Sequence, residues 1–202
     1  MANLNSFKTK IGYGIRPNLF QVSIPTAPTA TTLAAAYITD FTFLCRSAGI
    51  PASSVGTVEV PFRGRVIKLP GDRTFESWTI TVFGDANLKL RSYFEKWLDV
   101  LNEHTSGAGQ TTSTAYSATL QVDQLIRGAG SATTTDTNSP HSIIRSYQFK
   151  NAFPTNISQI DLSYDNNNSI AEYTVEFQYD FWETSSISAG TSSIGGSNPS
   201  IA

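Results

Sequence analysis

Apolar and polar side chains alternate without interruption over residues 172–181. The apolar positions are Tyr173, Val175, Phe177, Tyr179 and Phe181, and the polar positions are Glu172, Thr174, Glu176, Gln178 and Asp180. Because successive side chains of a β-strand point to opposite faces of a sheet, this pattern predicts a strand with an aromatic core face and an acidic, hydrated face. The strand has neither Lys nor Pro, which commonly protect exposed edges. It therefore suits either edge-to-edge pairing with another copy or a central place in its own sheet.

The same alternation recurs in shorter segments and predicts a mainly β fold. Their apolar faces are Phe20, Val22 and Ile24; Phe41, Phe43 and Cys45; Trp78, Ile80 and Val82; and Tyr116, Ala118, Leu120 and Val122. Residues 160–164 alternate in the same way, and the Asp, Asn and Ser residues at 165–169 tolerate left-handed turn geometry. We therefore expect a hairpin between residues 160–164 and the strand that follows.

One segment has the helical period instead. Its apolar residues are Leu90, Phe94, Trp97, Leu98 and Leu101. This spacing places them on one face of a helix at about residues 87–103. Asp85 or Asn87 is suited to cap the start, and Gly107 lies just beyond the end. We therefore predict a mainly β fold, an antiparallel β-barrel or sandwich with one flanking amphipathic α-helix and long loops.

Segments rich in Ser, Thr, Gly, Ala or Pro are typical of loops and tails. They occur at residues 25–32, 105–115, 128–140 and 184–202. None separates two apolar cores, so we expect a single domain over residues 1–183, with an N-terminal arm at 1–15 and a Ser/Gly-rich C-terminal tail at 184–202. The start of the chain has no apolar signal segment, and no apolar run approaches the length of a bilayer. We therefore expect folding in a cytoplasm and no membrane partner.

The composition argues against an enzyme and against a protein that grips nucleic acid. Only 15% of residues are charged and the formal net charge is −2, whereas gripping phosphate requires clustered Lys and Arg. Cys45 is the only cysteine, which excludes an intramolecular disulfide and a multi-cysteine zinc site, and its apolar neighbours favour a buried, inert thiol. The sequence has no nucleophile elbow, phosphate-loop lysine motif or zinc-protease motif, so we predict no catalytic residue, no cofactor and no metal.

An ordered set of motifs covers most of residues 16–183. It comprises RPNLFQV at residues 16–22, FTFLC at 41–45, LPGDRTFESWTITV at 69–82, FPTN at 153–156, LSYD at 162–165 and YDFWE at 179–183. Their order and spacing resemble the tail tube proteins of contractile-tailed bacteriophages. The block at 69–82 is the most specific part of this resemblance.

The resemblance implies a structural virion protein. In that family, copies form hexameric rings whose inner strands merge into one barrel, and stacked rings form the inner tube of a contractile tail, through which DNA is ejected into the host. The implied partners are further copies of the chain, the tail sheath protein, and the baseplate and tail terminator proteins. The tape-measure protein and DNA pass through the channel, and assembly takes place in the cytoplasm of the host bacterium. The alternative is a tube of a contractile injection or type VI secretion system that delivers protein, and a remote alternative is a carbohydrate-binding β-sandwich.

Polar residues on two predicted strands are candidates for lining such a channel. They are Glu172, Thr174, Glu176, Gln178, Thr79 and Thr81. Hydroxyl and acidic side chains do not hold a polyanion, whereas a basic wall would retain it through counterion release. A face that is merely exposed to bulk water is the alternative for either strand.

Two charged groups are candidates for contacts with other proteins. Arg63, Arg65 and Lys68 lie where the resemblance implies an extended hairpin that reaches the next ring, so they are candidates for contact between rings. Asp99 and Glu103 have the sign that is unfavourable at a helix C-terminus, which makes them candidates for docking a basic sheath surface. A solvated helix face is the alternative for this acidic pair.

Overall fold

The computed structural model describes residues 3–11, 14–31, 35–127, 141–165, 167 and 169–186. Its helices are α1 (Leu4–Ile11), α2 (Ala35–Leu44), α3 (Lys89–Leu101) and α4 (Ser113–Tyr116). Its strands are β1 (Phe20–Thr26), β2 (Cys45–Ala48), β3 (Ser54–Phe62), β4 (Arg65–Thr74), β5 (Trp78–Phe83), β6 (Ala118–Arg127), β7 (His141–Ile157), β8 (Glu172–Gln178) and β9 (Phe181–Ser186). The predicted loop at 128–140 and the part of the predicted tail at 187–202 lie outside the described residues.

Most strands belong to one antiparallel sheet in the order β1-β6-β7-β8-β5-β2, with β9 also paired to β7. The long strand β7 connects two groups of strands, because its first part pairs with β6 and β9 and its last part pairs with β8. Asn151 lies where the pairing changes and has a φ of 54°, a left-handed conformation that redirects the strand. The antiparallel, mainly β fold predicted from the alternation is therefore confirmed.

An aromatic cluster joins the sheet to α3. Trp78 of β5 stacks on Phe149 of β7 with ring centroids 4.4 Å apart. Phe177 of β8 lies 5.9 Å from Phe94 and 6.0 Å from Trp97, and both of these α3 side chains are fully buried. The apolar stripe of the helix therefore faces the core, which confirms the amphipathic helix laid over the sheet.

The ends of α3 lie within the predicted range of 87–103. The carboxylate of Asp85 accepts a hydrogen bond of 3.1 Å from the backbone N–H of Lys89, so it satisfies one donor of the first turn. Leu88, which flanks the helix, has a left-handed conformation and contributes no side-chain cap. Asn102 ends the helix with an extended backbone, and Gly107, with a φ of 67°, closes the next turn by donating its backbone N–H to Glu103.

The strand predicted around Phe41 and Phe43 is wrong, because residues 35–44 form α2 and β2 begins only at Cys45. Phe41 is fully buried and packs edge-on against Phe94 with centroids 5.9 Å apart, whereas Phe43 is 79% exposed. Opposite orientations two residues apart are expected for a helix, in which residues four apart share a face. Packing against α3 outweighs the β-propensity of this segment.

The hairpin predicted between residues 160–164 and the next strand is also wrong. β8 pairs with the end of β7, where Phe153 is opposite Gln178. Residues 160–164 belong to no strand, and Leu162 and Tyr164 are 90% and 105% exposed.

The core explains this choice of partner. Pro154 of β7 is buried opposite Phe177, and Ile157 lies opposite Val175, so the apolar faces of β7 and β8 continue one another. β8 ends at Gln178, and Phe181 of the predicted strand instead begins β9.

A matched pair of substitutions on α2 distinguishes the helix from the predicted strand. Phe41→Ala removes a fully buried ring and is expected to lower the free energy of unfolding by about 3–5 kcal/mol. Phe43→Ala changes an exposed side chain and should alter it by no more than about 0.5 kcal/mol. Urea unfolding of unassembled protein measures both, and large, similar losses for the two variants would contradict the helix.

Candidate assembly surfaces

The predicted channel-lining residues of two strands lie on one surface of the sheet. β5 and β8 are direct neighbours, with Thr79 opposite Glu176 and Thr81 opposite Thr174. Glu172 and Gln178 lie at the two ends of the same row on β8. We call these six residues the polar face. The sequence predicts each row separately, and the structure brings the two rows together.

The opposite side of the same two strands is the aromatic core. Its members are Trp78, Ile80 and Val82 of β5 and Tyr173, Val175 and Phe177 of β8, all of them buried. A slip of one residue in the pairing of β5 with β8 would turn this core set outward. The orientation of the polar face is therefore fixed by the packing beneath it.

A cation beside the polar face was missed by sequence reasoning. Arg46 of β2 forms an ion pair with Glu172, and its guanidinium also lies 5.9 Å from the ring centroid of Phe83. Strand alternation in the sequence indicates this position, because Arg46 follows the buried Cys45 and therefore points to the other side of the sheet. The pair leaves Glu176 as the polar face's one carboxylate that forms no ion pair among the described residues.

The strand β8 is central and not an edge. It pairs with β5 on one side and β7 on the other, which decides between the two alternatives left open by its sequence. The ends of the strand path are β1 and β2, and β2 has four residues. Pairing between copies through β8 would require the breaking of an existing ladder.

The basic segment forms the turn of a hairpin that stands apart from the main sheet. β3 and β4 pair only with each other among the described strands, and nearly every residue in them is exposed. Arg63 and Gly64 connect them with φ values of 46° and 79°, the two positive values that a type I′ turn requires. Lys68 lies 3.6 Å from Glu59 across the ladder, so one of the three predicted contact cations already has a partner within the hairpin.

The two acidic residues predicted to dock the sheath lie near the end of α3. Asp99 is in the last turns of the helix, and its carboxylate accepts a hydrogen bond of 3.3 Å from the backbone N–H of His104. Glu103 lies beyond the last helical residue and accepts a hydrogen bond from the hydroxyl of Ser106. Both carboxylates therefore shape the loop after α3 while they remain exposed.

A polar network on β6, β7 and β9 was not predicted from the sequence. The side-chain amide of Gln121 donates to both oxygens of Asp123, at 2.8 and 3.0 Å. Gln148 donates to Gln121 at 2.9 Å, and Lys150 links Gln148 to Glu183. Asp123 is only 4% exposed, and its burial raises the pKa of the carboxyl above its usual range. The sequence pattern that indicates this network is the alternation of Gln121 and Asp123 with the apolar Leu120 and Val122.

Cys45 lies in the core as predicted. The thiol is buried, and its burial raises its pKa to about 12. Within the residues that the structure describes, no three His, Cys, Asp or Glu side chains come together as metal ligands do. None of the helices in the described part of the chain combines the length and apolarity needed to cross a membrane.

The sequence matches the family model of the phage tail tube protein over residues 15–185. It is 32% identical over 173 residues to the tail tube protein gp19 of Enterobacteria phage T4, an alignment that covers 83% of this chain and 90% of that protein. The match includes the region of the motif at 69–82, the polar face and the hairpin.

The fold is similar to that of proteins solved by cryo-electron microscopy. The tube terminating cap of the anti-feeding prophage superposes with a TM-score of 0.58 at 16% identity, over 86% of this chain and 92% of that one. A chain of the sheath/tube terminator of the PVC extracellular contractile injection system gives a TM-score of 0.55 at 16% identity, over 87% of this chain and 99% of that one. These likenesses concern the fold.

The buried thiol gives a labelling test of the fold around β2. Because the raised pKa keeps the thiol of Cys45 protonated and the core covers it, iodoacetamide at pH 8.5 should modify it far more slowly in folded protein than in urea. Phe43→Cys, two residues away, places a matched thiol at an exposed position and should be labelled rapidly in the folded state. Mass spectrometry counts the labels, and equal rates for Cys45 in folded and unfolded protein would contradict the buried site.

Proposed function

The chain belongs to the phage tail tube protein family, and on that premise we propose that it is the structural subunit of the inner tube of a contractile phage tail. Its copies form hexameric rings that stack into a tube, and the polar face lines the channel through which DNA passes. Residues on β5 and β8 carry this proposal, because their hydroxyl and carboxylate groups form a continuous surface that offers few cations to a polyanion.

The charge of the polar face supports passage rather than binding. Arg46 is a cation beside the polar face, and it is already paired with Glu172. Thr79, Thr81 and Thr174 add hydroxyls without charge, and Glu176 contributes a repulsive carboxylate. A duplex that moves along such a wall meets no row of Lys or Arg that would release its counterions and hold it.

DNA is the proposed cargo because the 32% identical relative is a phage tail tube protein. The injection-system proteins resemble this chain in fold at 16% identity, which does not distinguish a protein cargo from DNA. Of the aromatic side chains of β5 and β8, Trp78, Tyr173 and Phe177 face the core. Phe83 lies on the polar side beneath the guanidinium of Arg46 and forms no open platform, which argues against the carbohydrate-binding alternative.

The proposed partners follow from the tube. They are the sheath around it, the baseplate and terminator at its ends, and the tape-measure protein and DNA inside it. The protein is a virion component, assembled in the cytoplasm of the host bacterium, and its role is structural, without catalysis or a cofactor. The tip of the hairpin carries Arg63, Arg65 and Lys68 toward the next ring. The end of α3 and the loop after it present Asp99 and Glu103 to the sheath.

Negative-stain microscopy tests the tube directly. We expect rings or hollow tubes when purified protein is concentrated, or when it is seeded with a baseplate complex that supplies a template. Particles that remain single subunits in the presence of the baseplate would contradict the proposal.

Lysines placed on the polar face should make the channel retain DNA. The variant Thr79→Lys with Thr174→Lys adds two cations per subunit to the polar face, so tubes assembled with short duplex DNA should retain at least about tenfold more of it than wild-type tubes. Co-sedimentation at increasing salt measures the effect, and the excess DNA should be released as the salt concentration rises.

The matched control is Thr111→Lys with Thr112→Lys, which adds the same charge to an exposed loop outside the polar face. We expect this control to retain no more DNA than wild type, because its added charges lie outside the polar face. Equal retention by wild type and by the Thr79 and Thr174 variant, with normal tubes in both, would contradict the assignment of the polar face to the channel.

Removal of the acidic charges after α3 should weaken sheath binding. Asp99→Asn with Glu103→Gln removes both charges and keeps the oxygens that accept the local hydrogen bonds, so the loop is preserved. We expect roughly tenfold weaker co-sedimentation of sheath protein with tubes of normal length. Glu76→Gln, an exposed carboxylate elsewhere, is the control, and unchanged sheath binding by the double variant would disprove the docking role.

A further inference from the structure

The hairpin of β3 and β4 has one face of exposed apolar side chains. Cross-strand pairing places Val58 beside Leu69 and Val60 beside Ile67, with Phe62 next to the turn. These five side chains are 40–58% exposed. A two-stranded hairpin is marginal in water on its own, and a contiguous exposed apolar surface marks a contact site.

The other face of the same hairpin differs in character. It carries Thr57, Pro61 and Val66 together with the ion pair between Glu59 and Lys68. The two faces therefore differ, because one presents five large apolar side chains and the other contains an ion pair. The side chains of adjacent residues of β4, such as Val66 and Ile67, point to opposite faces of the hairpin.

A second uncovered apolar surface lies in the loop between β7 and β8. Leu162 is 90% exposed, Tyr164 is 105% exposed and Ile170 is 67% exposed. Leu162 and Tyr164 are flanked by the carboxylates of Asp161 and Asp165. This loop carries the motif LSYD at 162–165, which has no role in lining the proposed channel.

The charges of the two surfaces are complementary. The tip of the hairpin carries Arg63 and Arg65, and the loop carries Asp161 and Asp165. None of these four residues takes part in an ion pair among the described residues. Both surfaces are exposed among the described residues, and each offers the apolar and charged groups that would complement the other in a second copy.

We propose that the hairpin of one subunit docks on residues 161–165 of a second copy of this chain. The apolar face of β3 and β4 covers Leu162 and Tyr164, and Arg63 and Arg65 pair with Asp161 and Asp165. The inference rests on the proposed tube, and it identifies the acidic partner of the hairpin between successive rings. It also assigns the exposed motif at 162–165 to contact between copies.

Disulfide trapping in assembled tubes tests this contact. Ile67→Cys protein is mixed with Leu162→Cys protein, assembled and treated with a mild oxidant, and non-reducing electrophoresis of the sedimented tubes measures the covalent dimer. We expect a strong dimer band. The matched control is Val66→Cys with Leu162→Cys, in which the thiol on the next residue of β4 points to the other side, and its dimer band should be at least about fivefold weaker.

The outcomes separate this inference from the proposed function. Two results would overturn the docking site without contradicting the proposed tube. Normal tubes could form no covalent dimer between positions 67 and 162, or they could form as much dimer between positions 66 and 162. A dimer between Ile67→Cys and Phe7→Cys instead would show that α1 covers the hairpin, which also overturns it. Absence of any sedimentable assembly from the parent protein would count against the tube itself.

Charge exchange provides a second test that does not depend on thiols. Arg63→Glu with Arg65→Glu should reduce sedimentable tube at least about tenfold, because each contact then places like charges together. Combining these changes with Asp161→Arg and Asp165→Arg restores opposite charges in every contact of a homopolymer and should restore assembly. Circular dichroism confirms that each variant is folded, and a folded fourfold variant that assembles no better than the double variant would contradict the pairing.

Discussion

The pairing of β5 with β8 determines most of what this molecule can do. The register that places Thr79 opposite Glu176 also places Trp78 opposite Phe177, so one set of hydrogen bonds orients both a core and a polar surface. α3 closes the core side through Phe94 and Trp97, and the polar side remains partly exposed. A wall suited to a channel therefore results from the same interaction that makes the subunit stable.

The subunit also exposes more apolar surface than a solitary protein needs. The β3 and β4 hairpin presents large apolar side chains to water, and so do Leu162, Tyr164 and Ile170 between β7 and β8. Such surfaces make a monomer prone to association, and low charge gives it little electrostatic protection. Both properties are consistent with a chain whose folded state is completed by its neighbours.

The sequence was informative where one face of an element meets the core. The alternation at 172–178 and the stripe from Leu90 to Leu101 correspond to β8 and α3, because burial imposes the period that the sequence displays. Around Phe41 the apolar spacing of two is typical of a strand, but it also places residues four apart on one face of a helix. The contact of Phe41 with Phe94 decides in favour of the helix. Leu162 and Tyr164 alternate without a core to face, so their pattern was mistaken for a strand.

Cryo-electron microscopy of the assembled particle is the measurement that tests the central claim most directly. We predict a hollow tube in which Thr79, Thr81, Thr174 and Glu176 of every subunit point to the axis. A reconstruction in which these four side chains point away from the channel, or in which the protein is a separate unit with no passage through it, would contradict the account.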